Sequence, residues 1–238
     1  MQDLLDVHMH TLASGHAYST VREMIDAAKS RGLSLVGISE HGPAMQGSCP
    51  EIYFCNFKVI RYHAQEFGID VRMGAELNIM DYNGSVDLSA QRQKDLDYAI
   101  ASLHNHICIE AGTREENTRA LLGAMQNPRV NIIGHPDNPE FPVDFDAVAK
   151  AARETHTLLE LNNSSYRPNG SRKGSYENGK HLLAACKKYG TEIIFGSDAH
   201  FYLDVGAHEY SEKLARECDF PKELIANYDL AKFKSYIE

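Results

Sequence analysis

Histidine is the residue in excess. Twelve stand in a 238-residue chain, and most fall in short polar clusters. The first cluster is His8-Met9-His10. In an extended segment alternate side chains share a face, so two imidazoles about 6–7 Å apart can converge on one metal. The run continues through Thr11-Leu12-Ala13-Ser14-Gly15 to His16, a third candidate ligand on the following loop. Five more clusters follow: Ser39-Glu40-His41-Gly42, Gly74-Ala75-Glu76, Ser102-Leu103-His104-Asn105-His106, Gly134-His135-Pro136-Asp137 and Gly196-Ser197-Asp198-Ala199-His200. Taken singly, each has an ordinary explanation. An isolated histidine at a strand end is more often a hydrogen-bonded loop residue than a ligand, and an isolated carboxylate there more often caps a helix. Six clusters sharing one mouth with no common purpose would be costly to desolvate. Metal binding supplies the purpose, because imidazole suits Zn, Fe, Mn and Cu while carboxylates bridge hard or borderline cations.

The clusters need elements to bring them together. Short apolar runs at 4–7, 33–38, 69–75, 96–102, 130–133, 157–161 and 191–195 predict strands, apolar on both faces as parallel strands covered by helices are. Helices fit between them. Thr20 with Glu23 and Thr113 with Glu116 form capping boxes for helices over 21–31 and 114–125, and Gly32 stops the first. Further helices are expected over 54–67, from Asp144 to about Glu154, and over 177–189, with a short one in 87–95 and a partly helical end over 221–236. Strands alternating with helices make an α/β fold with a parallel sheet. A closed or nearly closed barrel is preferred to an open sheet, because a polar cluster follows nearly every strand and only a barrel collects all those ends at one mouth. No linker or internal repeat interrupts the chain, which reads as one domain over 1–238.

Composition narrows the function. The formal charge of −9 argues against a broad nucleic-acid footprint, although three bound divalent cations would bring it to −3. No run of ~18 apolar residues predicts a membrane span, and the N-terminus has neither a basic segment nor a long apolar one, so a cytoplasmic protein is expected. Five cysteines, an odd number without a C-x-x-C pair, read as free thiols. Neither a P-loop nor a G-x-S-x-G elbow is present. After the sixth strand, residues 162–174 carry hydroxyls, amides and the cations Arg167, Arg172 and Lys173, which suit phosphate. An ordinary solvated loop is the competing reading. His63, His156, His181 and His208 fall in helical or loop stretches and read as structural or exposed, while Glu40 and Asp137 either orient a neighbouring imidazole or cap a helix.

In order and residue type, the clusters resemble the motifs of the PHP (polymerase and histidinol phosphatase) family of metal-dependent phosphoesterases, from His8-Met-His through Ser39-Glu-His41, Gly-Ala-Glu76, Leu-His104 and Gly-His135-Pro to Gly-Ser-Asp198-Ala-His200. Leu161-Asn-Asn-Ser-Ser165 and the basic loop after it are similar to the YcdX-type bacterial phosphatases within that family. The resemblance implies a distorted, TIM-like (β/α)7 barrel and a trinuclear site for divalent cations, most often zinc, with Mn or Fe as alternatives. It implies that His8, His10, Glu76 and Asp198 hold the first ion, Glu76, His104 and His135 the second, and His16, His41 and His200 the third. His106 competes with His104, which matches the motif and lies nearer the strand end. The implied activity is hydrolysis of a small phosphorylated substrate, most simply a phosphomonoester, by a hydroxide bridging the first two ions, with Glu76 and Asp198 as the catalytic carboxylates. Alternatives are a histidinol-phosphate phosphatase, a nuclease acting on phosphodiesters and a metal-binding protein without turnover.

Overall fold

The computed structural model describes residues 2–105 and 107–238. Seven strands form one sheet in chain order, every neighbouring pair parallel: β1 (Leu5–Asp6), β2 (Leu35–His41), β3 (Asp70–Asn78), β4 (Ala99–Ser102), β5 (Ile132–Ile133), β6 (Leu158–Asn162) and β7 (Ile193–Gly196). Each of the seven apolar runs became a strand. The helices are α1 (Val21–Ser30), α2 (Glu51–Cys55), α3 (Lys58–Tyr62), α4 (Ala90–Gln93), α5 (Arg114–Ala124), α6 (Phe145–Thr155), α7 (Ser175–Tyr189), α8 (Glu209–Glu217) and α9 (Leu230–Ile237). Both expected capping boxes are formed, and Asp144 caps α6 by accepting from Ala147 N. The single helix expected over 54–67 is instead α2, α3 and a 3-10 turn at Ala64–Glu66. Phe54 and Phe57 are both drawn into the core, whereas α3 buries no residue, so no continuous apolar face spans the segment. Among the described residues no helix is long and apolar enough to cross a membrane. All five cysteines are free, and Cys49 is buried.

The sheet curves into a nearly closed barrel, a distorted (β/α)7 fold. β1 and β7 meet through one parallel bridge, Met9 with Ala199, where His10 N donates to Ala199 O at 2.8 Å. Below it an irregular segment fills the place an eighth strand would take. Ile225 bridges Ile193, and the Asn227 amide donates to Leu5 O and Phe195 O at 3.1 Å and accepts from Phe195 N at 2.7 Å. The backbone groups of the seam are thereby paired although no ladder joins the two strands.

Inward-facing side chains change character along the barrel axis. At the N-terminal end Leu5, Leu35, Ile100, Ile132, Leu158 and Ile194 form one apolar cluster, closed from below by Phe233 and Tyr236 of α9. Tyr98 crosses the next layer and donates to Val7 O at 2.6 Å. Gly37 and Gly74 make room for it, since a Cβ at either would lie 2.5 Å from its hydroxyl or 2.6 Å from its ring. Above this layer the inward positions turn polar: Ser39 and His41 on β2, Glu76 on β3, Glu160 and Asn162 on β6. All five are buried. Each strand thus contributes apolar packing at one end and chemistry at the other.

Behind the seam, His208 is buried between carboxylates. Its Nδ1 bonds Asp3 and its Nε2 lies 3.5 Å from Asp6, which also accepts from Ser197 N and Gly206 N at 3.2 and 2.8 Å. Burial disfavours the charged ring, yet Asp3 and Asp6 outweigh it and raise its pKa to about 10. A group raised on folding stabilises fully below its unfolded pKa and loses that contribution as pH rises through the folded value. The wild type should therefore exceed His208→Gln in stability at pH 6, with the margin shrinking between about 6.5 and 10. Urea midpoints of the two proteins across that range test this, and a margin that grows with pH would refute it.

Candidate metal centre

Six strand ends and one loop deliver nine side chains to the mouth, and Glu76 lies at the middle of them. Its Oε1 stands 3.4 Å from His8 Nε2, 3.4 Å from His104 Nε2 and 3.1 Å from His135 Nε2. Its Oε2 stands 3.5 Å from His10 Nε2 and 2.8 Å from His41 Nδ1. Asp198 Oδ1 lies 3.7 Å from His8 Nε2, 3.4 Å from His10 Nε2 and 3.5 Å from His200 Nδ1. Most of these separations match the ligand–ligand edge of a zinc tetrahedron, about 3.3–3.4 Å for bonds of ~2.0–2.1 Å. His135 Nε2 is hydrogen-bonded to Glu76 Oε1, but four of the other atoms lack ordinary partners. His8 Nε2, His10 Nε2, His41 Nδ1 and Glu76 Oε2 are buried without a hydrogen bond, the close approach of His41 to Glu76 being misaligned for one. Buried polar atoms left in this way are costly unless something binds them. Among the described residues three groups have donor atoms mutually close enough for one ion each: His8, His10 and Asp198; His41, Glu76 and His104; His10, His41 and His200.

The other end of several rings is fixed, which decides which nitrogen is free. His8 Nδ1 bonds Glu160 at 2.6 Å, His104 Nδ1 bonds Asn78 Oδ1 at 2.7 Å and His200 Nδ1 bonds Asp198 O at 3.0 Å. His10 Nδ1 lies 3.3 Å from Ser14 Oγ, which donates to Glu40 at 2.6 Å and accepts from His41 N at 3.0 Å. With Nδ1 occupied, His8 and His10 aim Nε2 at the carboxylates, the orientation metal-ligating histidines adopt. Glu40 accordingly supports His10 and His41 through Ser14 and also holds Thr11, rather than capping a helix. Asp137 accepts from Tyr166 Oη at 2.5 Å.

Protonation also suits cations. Burial alone would raise Glu76, but His8, His104 and His41 hold it well below the usual carboxylate range. Asp198 is likewise lowered against burial, by His8, His10 and Arg172. Burial and the neighbouring His41 keep His10 well below an ordinary histidine, and burial followed by Arg172 lowers His135 to about 4. Ionised carboxylates and neutral imidazoles are the forms that bind metal. His8 goes the other way: against burial, Glu160, Glu76 and Asp198 raise it well above its usual value.

His16 joins from its loop, its ring 4.9 Å from His41 and 4.8 Å from His200. His41 belongs geometrically to two groups, because it contacts Glu76 as well as stacking 4.1 Å from His10. A cavity of about 410 Å³ opens over the cluster, lined by Met45, Gln46, Ile107 and Arg172 besides six of the candidate ligands, with His8, His10 and His135 lying beneath. Of the three basic-loop residues only Arg172 lines it, with Nη1 bonded to Asp198 at 3.2 Å and Ser165 at 3.1 Å. Arg167 pairs with Asp204 at 2.7 Å, and Lys173 is exposed. A larger cavity of about 570 Å³ beside α5 and α6, lined by Arg114 and Arg119, holds no histidine. His106 lies outside the described residues. Glu160 was missed by sequence reasoning. Its signal was a lone carboxylate in an apolar strand, two positions from Asn162. His135 and Asp198 have φ of 31° and 54°, backbone that non-glycine residues seldom adopt and that concentrates at functional sites.

The PHP domain model matches residues 6–165. A "Probable phosphatase" from Clostridium acetobutylicum is 45% identical over 239 residues, covering 100% of this chain and 96% of that protein. Another "Probable phosphatase", from Caldicellulosiruptor saccharolyticus, is 45% identical over 233 residues, 98% of this chain and 95% of the relative. Among solved structures, the histidinol phosphate phosphatase of Lactococcus lactis, complexed with zinc, L-histidinol and phosphate, superposes with a TM-score of 0.64 at 20% identity, over 92% of this chain and 95% of that one. At that identity the likeness concerns the fold. The chain belongs to the PHP domain family, and with these relatives it is a hydrolase of the phosphatase class.

Proposed function

We propose that the protein hydrolyses small phosphomonoesters at a trinuclear centre of divalent cations, for which zinc is the best fit and Mn or Fe would serve. The observation that carries this is Glu76, whose two oxygens face five imidazoles within 3.5 Å. His8, His10, Glu76 and Asp198 would hold the first ion, Glu76, His104 and His135 the second, and His16, His41 and His200 the third. Bound there, the cations would make water acidic enough to ionise near pH 7 and would neutralise phosphoryl oxygens. The chain's own groups supply the rest. Arg172 is held at the cavity wall by Asp198 and Ser165, so the free part of its guanidinium can grip phosphoryl oxygens. Asp198, ionised, divides its oxygens between the imidazoles and Arg172 and so ties the substrate's anchor to the cluster. Met45 and Ile107 leave an apolar margin for the organic part of a small ester.

The test is a panel of alkyl and aryl monoesters, histidinol phosphate and an oligonucleotide, run on zinc-loaded protein. The expected result is kcat/KM on monoesters at least about a hundredfold above that on the diester. Preference for the diester, or no turnover of any monoester by fully metallated protein, would overturn the reading.

A further inference from the structure

Glu160 is absent from the cavity lining, yet one carboxylate there reaches two candidate ligands on separate parts of the barrel. Oε1 accepts from His8 Nδ1 at 2.6 Å, and Oε2 accepts from His135 N at 2.8 Å and from Asn162 Nδ2 at 3.3 Å. Asn162 Nδ2 also donates to Asp198 Oδ2 at 3.1 Å. Glu160, His8, His135 and Asn162 are all buried, and Asp198 is half-buried. The network therefore touches His8 and Asp198 of the first ion's set and His135 of the second. It touches none of His16, His41 and His200.

Each contact does something specific. Accepting from Nδ1–H fixes the His8 tautomer and leaves Nε2 free to face Glu76 and Asp198. Accepting from His135 N gives a charge-assisted bond to a peptide at φ 31°, which offsets strain at a residue that must aim its ring at Glu76. The carboxylate is pinned in turn by Gly196, where a Cβ would lie 2.0 Å from Oε1. The glycine before Ser197-Asp198 is therefore explained by the close passage of Glu160.

We propose that Glu160 is a positioning residue that ties the first two ion subsites together, so that ions at them bind as a pair coupled more tightly to each other than to the third. This rests on the trinuclear reading above. An ion that orders His8 also orders the carboxylate that sets His135, and the second ion then meets a site whose ordering is already complete.

Zinc titration of metal-stripped protein against a competing chelator tests this, beside the melting temperature of the metal-free form. In the wild type two of three equivalents should fill cooperatively. Glu160→Gln keeps the shape but has one carbonyl oxygen where two acceptors are needed. It should weaken those two equivalents about 10–100-fold and abolish their cooperativity, affecting the third least and leaving the metal-free melting temperature near that of the wild type. Gly196→Ala, whose Cβ would press on His8 Cβ at 2.9 Å as well as on the carboxylate, keeps the charge of Glu160 and should weaken the same two equivalents. Three wild-type affinities in both variants would overturn the proposal, as would equal weakening of all three with a lowered metal-free melting temperature, the mark of a merely structural role. Fewer than two equivalents in the wild type would instead remove the trinuclear reading, and this inference with it.

Discussion

Glu76→Gln should lower kcat by at least about three orders of magnitude and remove two ions from the protein. The size of the effect follows from the position of the carboxylate. Oε1 faces His8, His104 and His135, and Oε2 faces His10 and His41, so among the described residues no other side chain contacts so many of the candidate ligands. Its charge is secured by the histidines around it, which keep it ionised against burial. Glutamine keeps the size, but it is neutral and turns one acceptor into an N–H donor. That donor would satisfy the lone pairs of the imidazoles and so block the ligand positions themselves. His16→Ala is the contrast. His16 reaches His41 and His200 from a loop and does not touch Glu76, so its loss should weaken one ion and raise KM more than it lowers kcat. Metal content, kcat and KM of the two variants make the comparison. If Glu76→Gln retains three ions and near-normal kcat, Glu76 is not the bridge.

The barrel was legible because parallel strands covered on both sides are written as apolar runs, and because their inward positions turn polar at one end. That is why His41, Glu76 and Asp198 stand at or just beyond the ends of their runs. The capping boxes at Thr20 and Thr113 were legible for a local reason, since four consecutive residues suffice to make them. What was not legible depends on partners far along the chain. Glu160 looks like any strand residue until His8, 152 positions away, is seen against it. Arg167 and Arg172 are equivalent in a loop sequence, and only the fold sends one to Asp204 and the other to Asp198. Sequence position alone leaves His208 as a structural or an exposed residue. It is buried, and its charge follows from Asp3 and Asp6 on the first strand and the residues leading into it. Asn227 closes the seam with its side chain where sequence pattern showed only a partly helical end. α8 was not foreseen at all: it presents a polar sequence with Ser211, Leu214 and Ala215 as its buried residues.

Metal removal and return is the second large effect and tests the central claim most directly. A protein stripped by chelation should fall to background on phosphomonoesters, because without cations neither the ionised water nor the neutralised phosphoryl oxygens are available, together worth many orders of magnitude. The stripped chain should keep its fold, since the apolar layer from Leu5 to Ile194 and the closure by Phe233 do not involve the ligands. Zinc added back should be taken up to three equivalents with return of activity. Anomalous scattering from crystals of the reloaded protein should then place the three ions among His8, His10, His16, His41, Glu76, His104, His135, Asp198 and His200. One equivalent or fewer after reconstitution, or activity that survives complete stripping, would contradict the account.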